Sequence, residues 1–422
     1  MLPERIAIVG GGLPGWLAAE LLHRTFARAD VAISVIECDP GPQGAETLSP
    51  AGIDLALTLG IDEDRILAEG GGAHILGTVI DRAGQAPGFV SFSAAGAPFG
   101  PVPFHHVARR LRQAGDDARL ANYCLNALCA QSARYAPPAI DEQSVAASLE
   151  HGISIDAPAW SAALRQRATR SGVAAVTASE VALVQDDKAP LVRLSSGSDI
   201  AADLIIDVRT GAAAPLATPA NVPPLYVHLE QRSDRLLRHV PLANGGRTME
   251  RLPFEAAAGQ SAWCGGIVDL GLAWRVVDPM AGLGLQLLLS MLHRLLGLLP
   301  QCSGSSVEMR EYNRLTASEL AAAQDYAAQL LGQTEAESPA LGCKRALYAD
   351  CGRVAMFDEE PVSEVDWINV FDARGLEPRD ADPQLSAVPI DALRTHAERL
   401  RAIMIAGLRA MPVYAGPAGE GR

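Results

Sequence analysis

The sequence is short of basic residues, and almost all of those that it has are arginines. It contains 35 lysines and arginines against 49 aspartates and glutamates, which gives a formal net charge of −14. The only lysines are Lys188 and Lys344, so chemistry that needs a lysine amine is excluded from everything before residue 188. A protein that binds a nucleic-acid backbone needs a basic surface, and we therefore expect no nucleic-acid partner.

Cysteine pairs are also absent. The seven cysteines are scattered along the chain, without a Cys-x-x-Cys pair. Zinc sites need tightly spaced Cys and His ligands, so we predict no metal site. An odd number of cysteines without a disulfide framework is typical of a reducing compartment and favours a cytoplasmic location.

The chain has no uninterrupted apolar run of membrane-spanning length. Its most apolar stretch, residues 282–300, contains His293 and Arg294, which favours a buried helix over a membrane span. No basic segment precedes the first predicted strand at Arg5, so neither a signal peptide nor a membrane partner is expected. With 422 residues, 49% of them hydrophobic, the chain can bury a large core in two or three lobes.

A glycine-rich segment near the N-terminus predicts a dinucleotide site. Residues 5–10 predict a buried strand, and residues 14–27 predict the helix that follows. The segment Gly-Gly-Gly-Leu-Pro-Gly over residues 10–15 lies between them and fits the pattern G-x-G-x-x-G. This order of strand, glycine turn and helix is typical of a doubly wound fold that binds FAD or NAD.

Each residue of this segment has an expected role. Gly10 permits the tight turn, Gly12 lets the backbone approach a pyrophosphate, and Gly15 allows close packing of helix and strand. Leu13 and Pro14 complete the helix start, where the helix dipole stabilises phosphate charge. Glu37 ends a second predicted strand, residues 31–37, where a carboxylate can bind ribose hydroxyls.

The remaining pattern is one of helices and a β-meander. Residues 51–67 predict a helix with a break near Gly60, and residues 174–211 alternate like a meander that returns to a core strand. Residues 212–260 are rich in Ala, Pro and Gly and have weak periodicity. Further helices are predicted at 105–114, 120–133, 157–172, 282–299, 309–331 and 389–410.

Later segments resemble those of the flavin-dependent tryptophan halogenases. The stretch VDLGLAWRVVDPMAGLGLQLL, residues 268–288, resembles the second signature of that family, and GGGLPGW resembles its FAD fingerprint. The stretch GAETLSP, which contains Thr47 and Leu48, resembles its flavin-contacting loop. Further blocks that fit lie at 153–168, 201–211, 311–315, 366–383 and 411–414.

The resemblance implies an α/β fold of the FAD-dependent monooxygenase kind, with a Rossmann-type lobe, a β-meander and an added, mainly helical lobe. It places lobe boundaries at 1–110 (FAD lobe), 111–150 (helical insertion), 151–300 (FAD lobe continued) and 301–422 (C-terminal helical lobe). In that family a separate reductase supplies reduced FAD, and chloride beside the flavin is converted to hypohalous acid. A lysine and a glutamate then direct the halogenation of the aromatic substrate.

The same comparison implies further cofactor contacts. Asp278 lies in the segment DPMAGLG, which aligns with the family segment EPLESTG. In the family, backbone amides near this point hold the halide. The amides of Gly282, Leu283 and Gly284 are therefore expected either to bind a halide or another anion at the start of a helix, or to form a glycine-rich helix entry that packs on the flavin.

The sequence departs from the family at its reactive residues. The family lysine aligns with Leu76 and the second glutamate of EPLESTG with Ala281, and neither side chain can transfer a proton. His74 is expected to be a surface or packed histidine. Trp274 and Arg275 stand where the family has small residues, and we expect bulk there to fill space beside the flavin ring.

Two further features bear on function. The family's WxWxIP motif is missing from the shortened segment 212–260. His105 and His106 are expected to cap a helix or lie on the surface, with contact to flavin or substrate as the alternative. The sequence therefore predicts either a divergent flavin-dependent monooxygenase or halogenase-like enzyme acting on an unidentified small molecule, or a non-catalytic binding or partner protein of the same fold. A flavin reductase is the expected partner, and a homodimer is left open.

Overall fold

The computed structural model of the chain describes residues 3–138, 145–185, 190–211, 216–257, 261–299, 306–333 and 337–416. They form two compact units. The first unit comprises Met1–Gly72, Ser154–Pro219 and Met249–Gln324, and the second comprises Ala73–Ile153, Ala220–Thr248 and Asp325–Arg422. Lys188 and Cys302 lie outside the described residues, as do parts of the segment 212–260.

The strands, in chain order, are β1 (Arg5–Val9), β2 (Ala32–Glu37), β3 (Ala45–Leu48), β4 (Ala73–Arg82), β5 (Gly88–Ser91), β6 (Gly152–Asp156), β7 (Ala174–Thr177), β8 (Val181–Gln185), β9 (Pro190–Leu194), β10 (Asp199–Ala201), β11 (Leu204–Asp207), β12 (Leu216–Pro219), β13 (Leu225–Gln231), β14 (Leu236–Leu242), β15 (Gly245–Glu250), β16 (Trp263–Cys264) and β17 (Ile267–Asp269).

The α-helices are α1 (Gly12–Thr25), α2 (Pro50–Thr58), α3 (Glu63–Glu69), α4 (Phe104–Gln113), α5 (Leu125–Ser132), α6 (Ala157–Arg170), α7 (Leu272–Arg275), α8 (Gly284–Leu298), α9 (Ser306–Leu331), α10 (Pro339–Cys351), α11 (Glu364–Ala373) and α12 (Ile390–Ala410). Short 3₁₀ turns span Leu120–Tyr123, Val145–Ser148, Pro279–Ala281 and Pro383–Leu385.

The first unit is built on a six-stranded sheet with the strand order β16-β17-β11-β1-β2-β7. Strand β1 pairs in parallel with both β2 and β11. Its residues 6–9 are fully buried, because a central parallel strand is covered on both faces. The predicted order of strand, glycine turn, helix and strand is confirmed, and it brings the ends of β1, β2 and β11 to one edge of the sheet.

The predicted β-meander is confirmed in the first unit. Strands β8, β9 and β10 form a three-stranded antiparallel sheet before the chain returns to the core as β11. The predicted break near Gly60 separates α2 from α3, and Gly60 has a φ of +73°. The apolar stretch predicted as a buried helix contains α8, Gly284–Leu298, most of whose residues are buried.

The second unit combines strands with the C-terminal helices. Strand β13 pairs in parallel with β4 and antiparallel with β14, and β5 pairs antiparallel with β4. Within residues 212–260, where the sequence shows only weak periodicity, the structure thus has regular strands such as β13 and β14. Leu225, Val227 and Leu229 are buried at alternate positions of β13, a period-two signal that marks a strand packed on one face.

Two properties of the described chain bear on its environment. No helix in the described ranges has the length and apolar character that crossing a membrane requires. The six cysteines within those ranges are unbonded thiols: Cys38, Cys124, Cys129, Cys264, Cys343 and Cys351.

Candidate cofactor site

The glycine-rich turn between β1 and α1 is closely packed. Gly10 has a φ of +113°, and a Cβ at this position would lie 2.9 Å from Val208 Cγ2. A Cβ on Gly15 would lie 2.3 Å from the carbonyl oxygen of Gly10. A side chain at either position would have to displace the backbone or the core, so both must be glycine.

Gly12 is constrained by the chain's own loop. Its φ is +61°, and a Cβ there would lie only 2.0 Å from the carbonyl oxygen of Pro40. The N–H of the preceding Gly11 donates a hydrogen bond of 2.7 Å to the carbonyl oxygen of Asp39. The Pro40 carbonyl therefore already requires glycine at position 12 in the protein without a ligand. A bound pyrophosphate is expected to approach the same backbone closely as well.

The first turn of α1 presents unused hydrogen-bond donors. Within the described residues, the N–H groups of Gly12 and Leu13 have no protein acceptor. Pro14 has no N–H, and the Leu13 side chain is fully buried, so Leu13 offers only its backbone. Two free N–H groups at the positive end of a 14-residue helix suit an anionic group such as a phosphate.

Glu37 lies at the end of β2, as predicted, but its carboxylate already has partners. Arg165 Nε lies 2.8 Å from Oε1 and Nη2 lies 3.1 Å from Oε2. The indole N–H of Trp16 donates to Oε1 at 3.2 Å. The hydrogen bonds from Arg165 lower the pKa of Glu37. A ribose at this carboxylate would share it with Arg165, which the sequence pattern did not reveal.

Asp39 ties the loop after β2 to the loop after β11. Its Oδ1 accepts the N–H of Gly41 at 2.7 Å, and its Oδ2 accepts those of Thr210 at 2.9 Å and Gly211 at 3.3 Å. These two loops border a cavity of about 670 Å³. The cavity lies at the carboxyl ends of the central strands, where doubly wound folds bind their ligands.

Two arginines face this cavity, and each is paired with an acid at the end of a strand. Arg209 and Arg275 both line it. Arg209 Nη2 lies 2.6 Å from Oδ2 of Asp207, the last residue of β11, and this contact raises the pKa of Arg209. Arg275 pairs with Asp269 at the end of β17. These guanidinium groups can also approach the phosphates of a dinucleotide.

The second signature forms a tight turn before α8. Asp278 Oδ1 accepts the N–H of Met280 at 3.0 Å, and Oδ2 pairs with Arg251 Nη2 at 2.8 Å. Gly282 has a φ of +73° and donates its N–H to the carbonyl oxygen of Pro279 at 3.0 Å. Both carboxylate oxygens of Asp278 thus contact other residues of the chain, and these contacts stabilise the turn.

This turn leaves two of the three predicted amide donors available. The N–H of Gly282 is used within the turn, whereas those of Leu283 and Gly284 have no acceptor in the described part of the chain. Leu283 is the N-cap of the 15-residue helix α8 and Gly284 is its first residue, and the helix dipole favours an anion at this end. Ala281, at the position of the family glutamate, is half-buried.

Thr47 and Leu48, predicted to lie in a loop, end strand β3, and this strand is joined to the turn. The Thr47 hydroxyl donates to the carbonyl oxygen of Gly282 at 3.0 Å. Leu48 is fully buried, so it contributes packing. The predicted flavin-contacting loop and the second signature therefore meet in the first unit.

Trp274 occupies space beside the same turn. Its side chain is 4% exposed, and its indole N–H donates to Glu46 Oε1 at 3.3 Å. A Cβ on Gly284 would lie 2.2 Å from Trp274 Nε1. Arg275 points into the cavity described above. Trp274 is thus buried and the Arg275 side chain is 25% exposed, and the hypothesis that they fill space beside the flavin stays a prediction.

Leu76, at the position predicted for the family lysine, lies in the apolar core of the second unit. It is fully buried in a cluster with Leu125, Cys129 and Tyr135. Its carbonyl oxygen accepts the Nδ2–H of Asn126 at 2.9 Å. The alkyl side chain of Leu76 itself has no group that can transfer a proton.

The histidines singled out from the sequence are packed residues. His74 stacks on Tyr135 with ring centroids 4.9 Å apart, so it is packed and not on the surface. His105 and His106 are buried, which contradicts a surface position, and no side-chain hydrogen bond caps the start of α4. His105 Nε2 lies 2.9 Å from the carbonyl oxygen of Gly352, and burial lowers its pKa to about 4.

Comparison with known sequences identifies the family. The sequence model described as tryptophan halogenase matches residues 5–243 and 226–390. The chain belongs to the tryptophan halogenase family. A curated relative, the uncharacterized protein y4xG of Sinorhizobium fredii (strain NBRC 101917 / NGR234), is 36% identical over 105 residues. That match covers 22% of this chain and only 20% of the relative.

Solved structures of flavin-dependent halogenases share the fold over the full chain. BrvH from Brevundimonas sp. BAL3 superposes with a TM-score of 0.84 at 21% identity, covering 97% of each chain. Xcc4156 from Xanthomonas campestris gives a TM-score of 0.83 at 21% identity, covering 98% of this chain and 97% of the other. The predicted fold is confirmed by this agreement.

Membership of the tryptophan halogenase family implies FAD as the cofactor, and the residues present fit that group. The glycine turn, the two N–H donors of α1 and the arginine-lined cavity provide for an anionic dinucleotide. These features lie together in the first unit at the edge formed by β1, β2 and β11.

Proposed function

We propose that this protein is an FAD-binding member of the tryptophan halogenase family that does not carry out standard tryptophan halogenation. It acts as a divergent flavin-dependent monooxygenase or halogenase-like enzyme on a small molecule that is not yet identified. FAD, when bound and reduced, supplies the oxygen chemistry. The chain's own residues hold the cofactor, place an anion and exclude water.

The observation that carries this proposal is the burial of Leu76 in an apolar cluster. An alkyl side chain with no hydrogen-bonding group cannot hold or direct hypohalous acid. Ala281, where the family has a glutamate, cannot accept a proton from a ring intermediate. Both losses affect the transfer of halogen to an aromatic ring, and neither affects the glycine turn that holds FAD.

The anion position is proposed to persist. The N–H groups of Leu283 and Gly284 have no acceptor among the described residues and lie at the positive end of α8. They would hold a halide or another small anion next to the turn that Thr47 stabilises. Asp278 supports this arrangement by fixing the turn through its hydrogen bond to Met280.

The proposal includes a partner and a location. A separate flavin reductase would supply reduced FAD, since flavin-dependent halogenases generally use a second protein to reduce the flavin. The unbonded thiols of the described cysteines support a reducing, cytoplasmic setting.

One observation favours a second candidate, a non-catalytic binding protein. Trp274 is buried against Gly284 and Glu46. An indole at this point removes space that a flavin ring or a halide would use. If the Trp274 indole fills this space completely, the protein keeps the fold and the nucleotide pocket but catalyses no flavin-dependent reaction.

The test is a coupled assay with a binding measurement beside it. FAD binding is measured by titration of flavin absorbance and fluorescence, with Gly12→Val as the variant expected not to bind. The assay then supplies FAD, a flavin reductase, NADH, oxygen and bromide or chloride, with tryptophan as substrate, and mass spectrometry searches for halogenated indoles. We expect FAD binding without halogenated tryptophan.

The outcomes separate the candidates. Halogenated tryptophan contradicts the proposed departure from the family reaction. FAD binding with oxygenated or halogenated product from another small molecule supports the enzyme, and a reductase-only sample is the control. FAD binding with no product across a broad panel of aromatic compounds supports the non-catalytic alternative. Absence of any flavin binding contradicts the assigned cofactor site.

A further inference from the structure

The second unit contains a cavity of its own that the family resemblance does not account for. It has a volume of about 540 Å³. Four arginines line it: Arg82, Arg232, Arg345 and Arg374. Arg82 ends β4, Arg232 follows β13, Arg345 lies on α10 and Arg374 follows α11. Separate parts of the chain thus bring four guanidinium groups to one cavity.

The lining of this cavity is unusual for so acidic a protein. None of its lining residues in the described part of the chain is an aspartate or a glutamate, although the whole chain has a net charge of −14. Its other polar side chains are those of Gln231, Gln329 and Ser233. The cavity is therefore rich in hydrogen-bond donors and positive charge.

Arg82 and Arg374 have only neutral partners among the described residues. Arg82 Nη2 donates to the carbonyl oxygen of Ala373 at 3.2 Å, and Arg374 Nη1 donates to Gln231 Oε1 at 2.8 Å. The Nε atoms of both arginines are buried without an acceptor. Two guanidinium groups without carboxylate partners are a source of uncompensated positive charge.

The two arginines also disfavour each other's charge. Burial and the neighbouring Arg82 lower the pKa of Arg374 to about 10, so Arg374 remains charged at neutral pH. Like charges held close together in a partly buried site are unfavourable. An anion in the cavity would relieve this repulsion.

The other two arginines, Arg232 and Arg345, are each paired with a carboxylate that does not line the cavity. Arg232 Nη2 pairs with Asp81 Oδ2 at 2.9 Å, and Arg345 Nε lies 3.3 Å from Glu337 Oε2. Arg345 Nη1 also donates to Gln329 Oε1 at 2.8 Å. These contacts fix the direction of each side chain, which reduces the entropy lost when a ligand binds.

We propose that this cavity binds the phosphate group of a small phosphorylated molecule. A phosphate carries up to two negative charges and several acceptor oxygens, and arginine forks match its geometry. Arg82 and Arg374 supply the uncompensated charge, and Arg232 and Arg345 supply directed donors at the wall. A volume of about 540 Å³ accommodates the molecule that carries the phosphate, within the range typical of ligand pockets.

The test uses inorganic pyrophosphate as the probe, titrated calorimetrically at constant ionic strength, with malonate as the carboxylate comparison. Ser233→Asp places a negative charge at the cavity wall without touching the buried arginines, and Ser233→Asn is its neutral counterpart. Arg345→Gln removes one donor. Arg193→Gln is the charge-matched control, since Arg193 is an exposed residue of the first unit paired with Asp199.

We expect Ser233→Asp and Arg345→Gln each to weaken pyrophosphate binding at least about tenfold, the size of one lost charge-assisted hydrogen bond. Ser233→Asn and Arg193→Gln should bind like the parent protein. Circular dichroism and melting temperature confirm that each variant is folded, and Ser233→Asp tests the site even where Arg345→Gln unfolds.

Three results overturn the proposal. The first is no binding of pyrophosphate by the parent protein at millimolar concentration. The second is unchanged binding by Ser233→Asp, because pyrophosphate would then occupy the glycine turn of the first unit. The third is tighter binding of malonate than of pyrophosphate, which would assign the cavity to carboxylates.

Discussion

Arg165 on α6 holds both carboxylate oxygens of Glu37 at the end of β2, with N–O distances of 2.8 Å and 3.1 Å. The Arg165 side chain is half exposed, so this ion pair contributes little stability, typically below about 1 kcal/mol. Its importance lies in position, because it occupies the carboxylate expected to bind a ribose.

Glu37 and Arg165 are therefore expected to differ in their effect on FAD binding. Glu37→Ala removes the acceptor for the ribose hydroxyls and should weaken FAD binding by about tenfold, the size of one or two hydrogen bonds to a charged group. Arg165→Ala frees the carboxylate and should leave affinity within about twofold, a change well below one such bond. Flavin fluorescence titration measures both. If both substitutions weakened FAD binding equally, FAD binding would depend on the intact ion pair and not on the Glu37 carboxylate alone.

Gly12→Ala should destabilise the protein before any cofactor is added. An alanine with positive φ costs about 1–2 kcal/mol, and the clash with the Pro40 carbonyl adds about 1–3 kcal/mol of overpacking. Gly71→Ala is the matched control, since Gly71 has a φ of +55° with nothing within 4 Å of its would-be Cβ. Denaturant unfolding of apo protein measures the difference. Equal free energies of unfolding would contradict the close approach of Pro40.

Leu76→Lys is not expected to restore halogenation. The side chain is fully buried among apolar residues, and an ammonium group there lacks partners, so we expect a loss of at least about 3 kcal/mol in the free energy of unfolding. Leu76→Met keeps the volume and should cost less than about 1.5 kcal/mol. Thermal unfolding and the coupled halogenation assay measure both properties. A stable, halogenating Leu76→Lys protein would contradict this description of the position.

His105 should make the second unit less stable in mild acid. Its pKa is lowered to about 4 by burial, with smaller effects of His106 and Arg112, against an unfolded value near 6.5. The unfolded chain therefore binds more protons between these values. This contribution to stability is present above pH 6.5 and is lost as the pH falls toward 4, by up to about 3 kcal/mol.

The matched variant for this pH dependence is His105→Gln, which keeps a donor for the Gly352 carbonyl and does not titrate. Asp372 acts in the opposite direction, because burial raises its pKa to about 6. The informative quantity is therefore the difference between the parent and variant curves of unfolding free energy against pH. We expect that difference to change between pH 6.5 and 4. Parallel curves over this range would contradict the buried neutral histidine.

Much of the first unit could be predicted from sequence, because its signals are local. The apolar run of β1, the glycines after it and the periodicity of α1 all act within 25 residues. Glu37 could be placed at a strand end for the same reason. Its pairing with Arg165 could not, since 128 positions separate the two residues and no local pattern reports such contacts.

The errors in the second unit have a similar origin. Strand β13 was detectable from the alternation of Leu225, Val227 and Leu229, but the Ala-, Pro- and Gly-rich neighbourhood concealed it. The burial of His105 follows from its contact with Gly352, which lies 247 positions away. The four-arginine cavity likewise draws on segments spread from β4 to α11. Tertiary contacts decide these features, and composition does not.

The packing of Trp274 on Gly284 also limits the order in which substitutions can accumulate in this lineage. A Cβ at position 284 would lie 2.2 Å from Trp274 Nε1, so a larger residue there is acceptable only after position 274 has become small. Reduction of Trp274 alone leaves a buried cavity, at a cost of about 3–5 kcal/mol. Each single step is unfavourable, and the pair is expected to be inherited together.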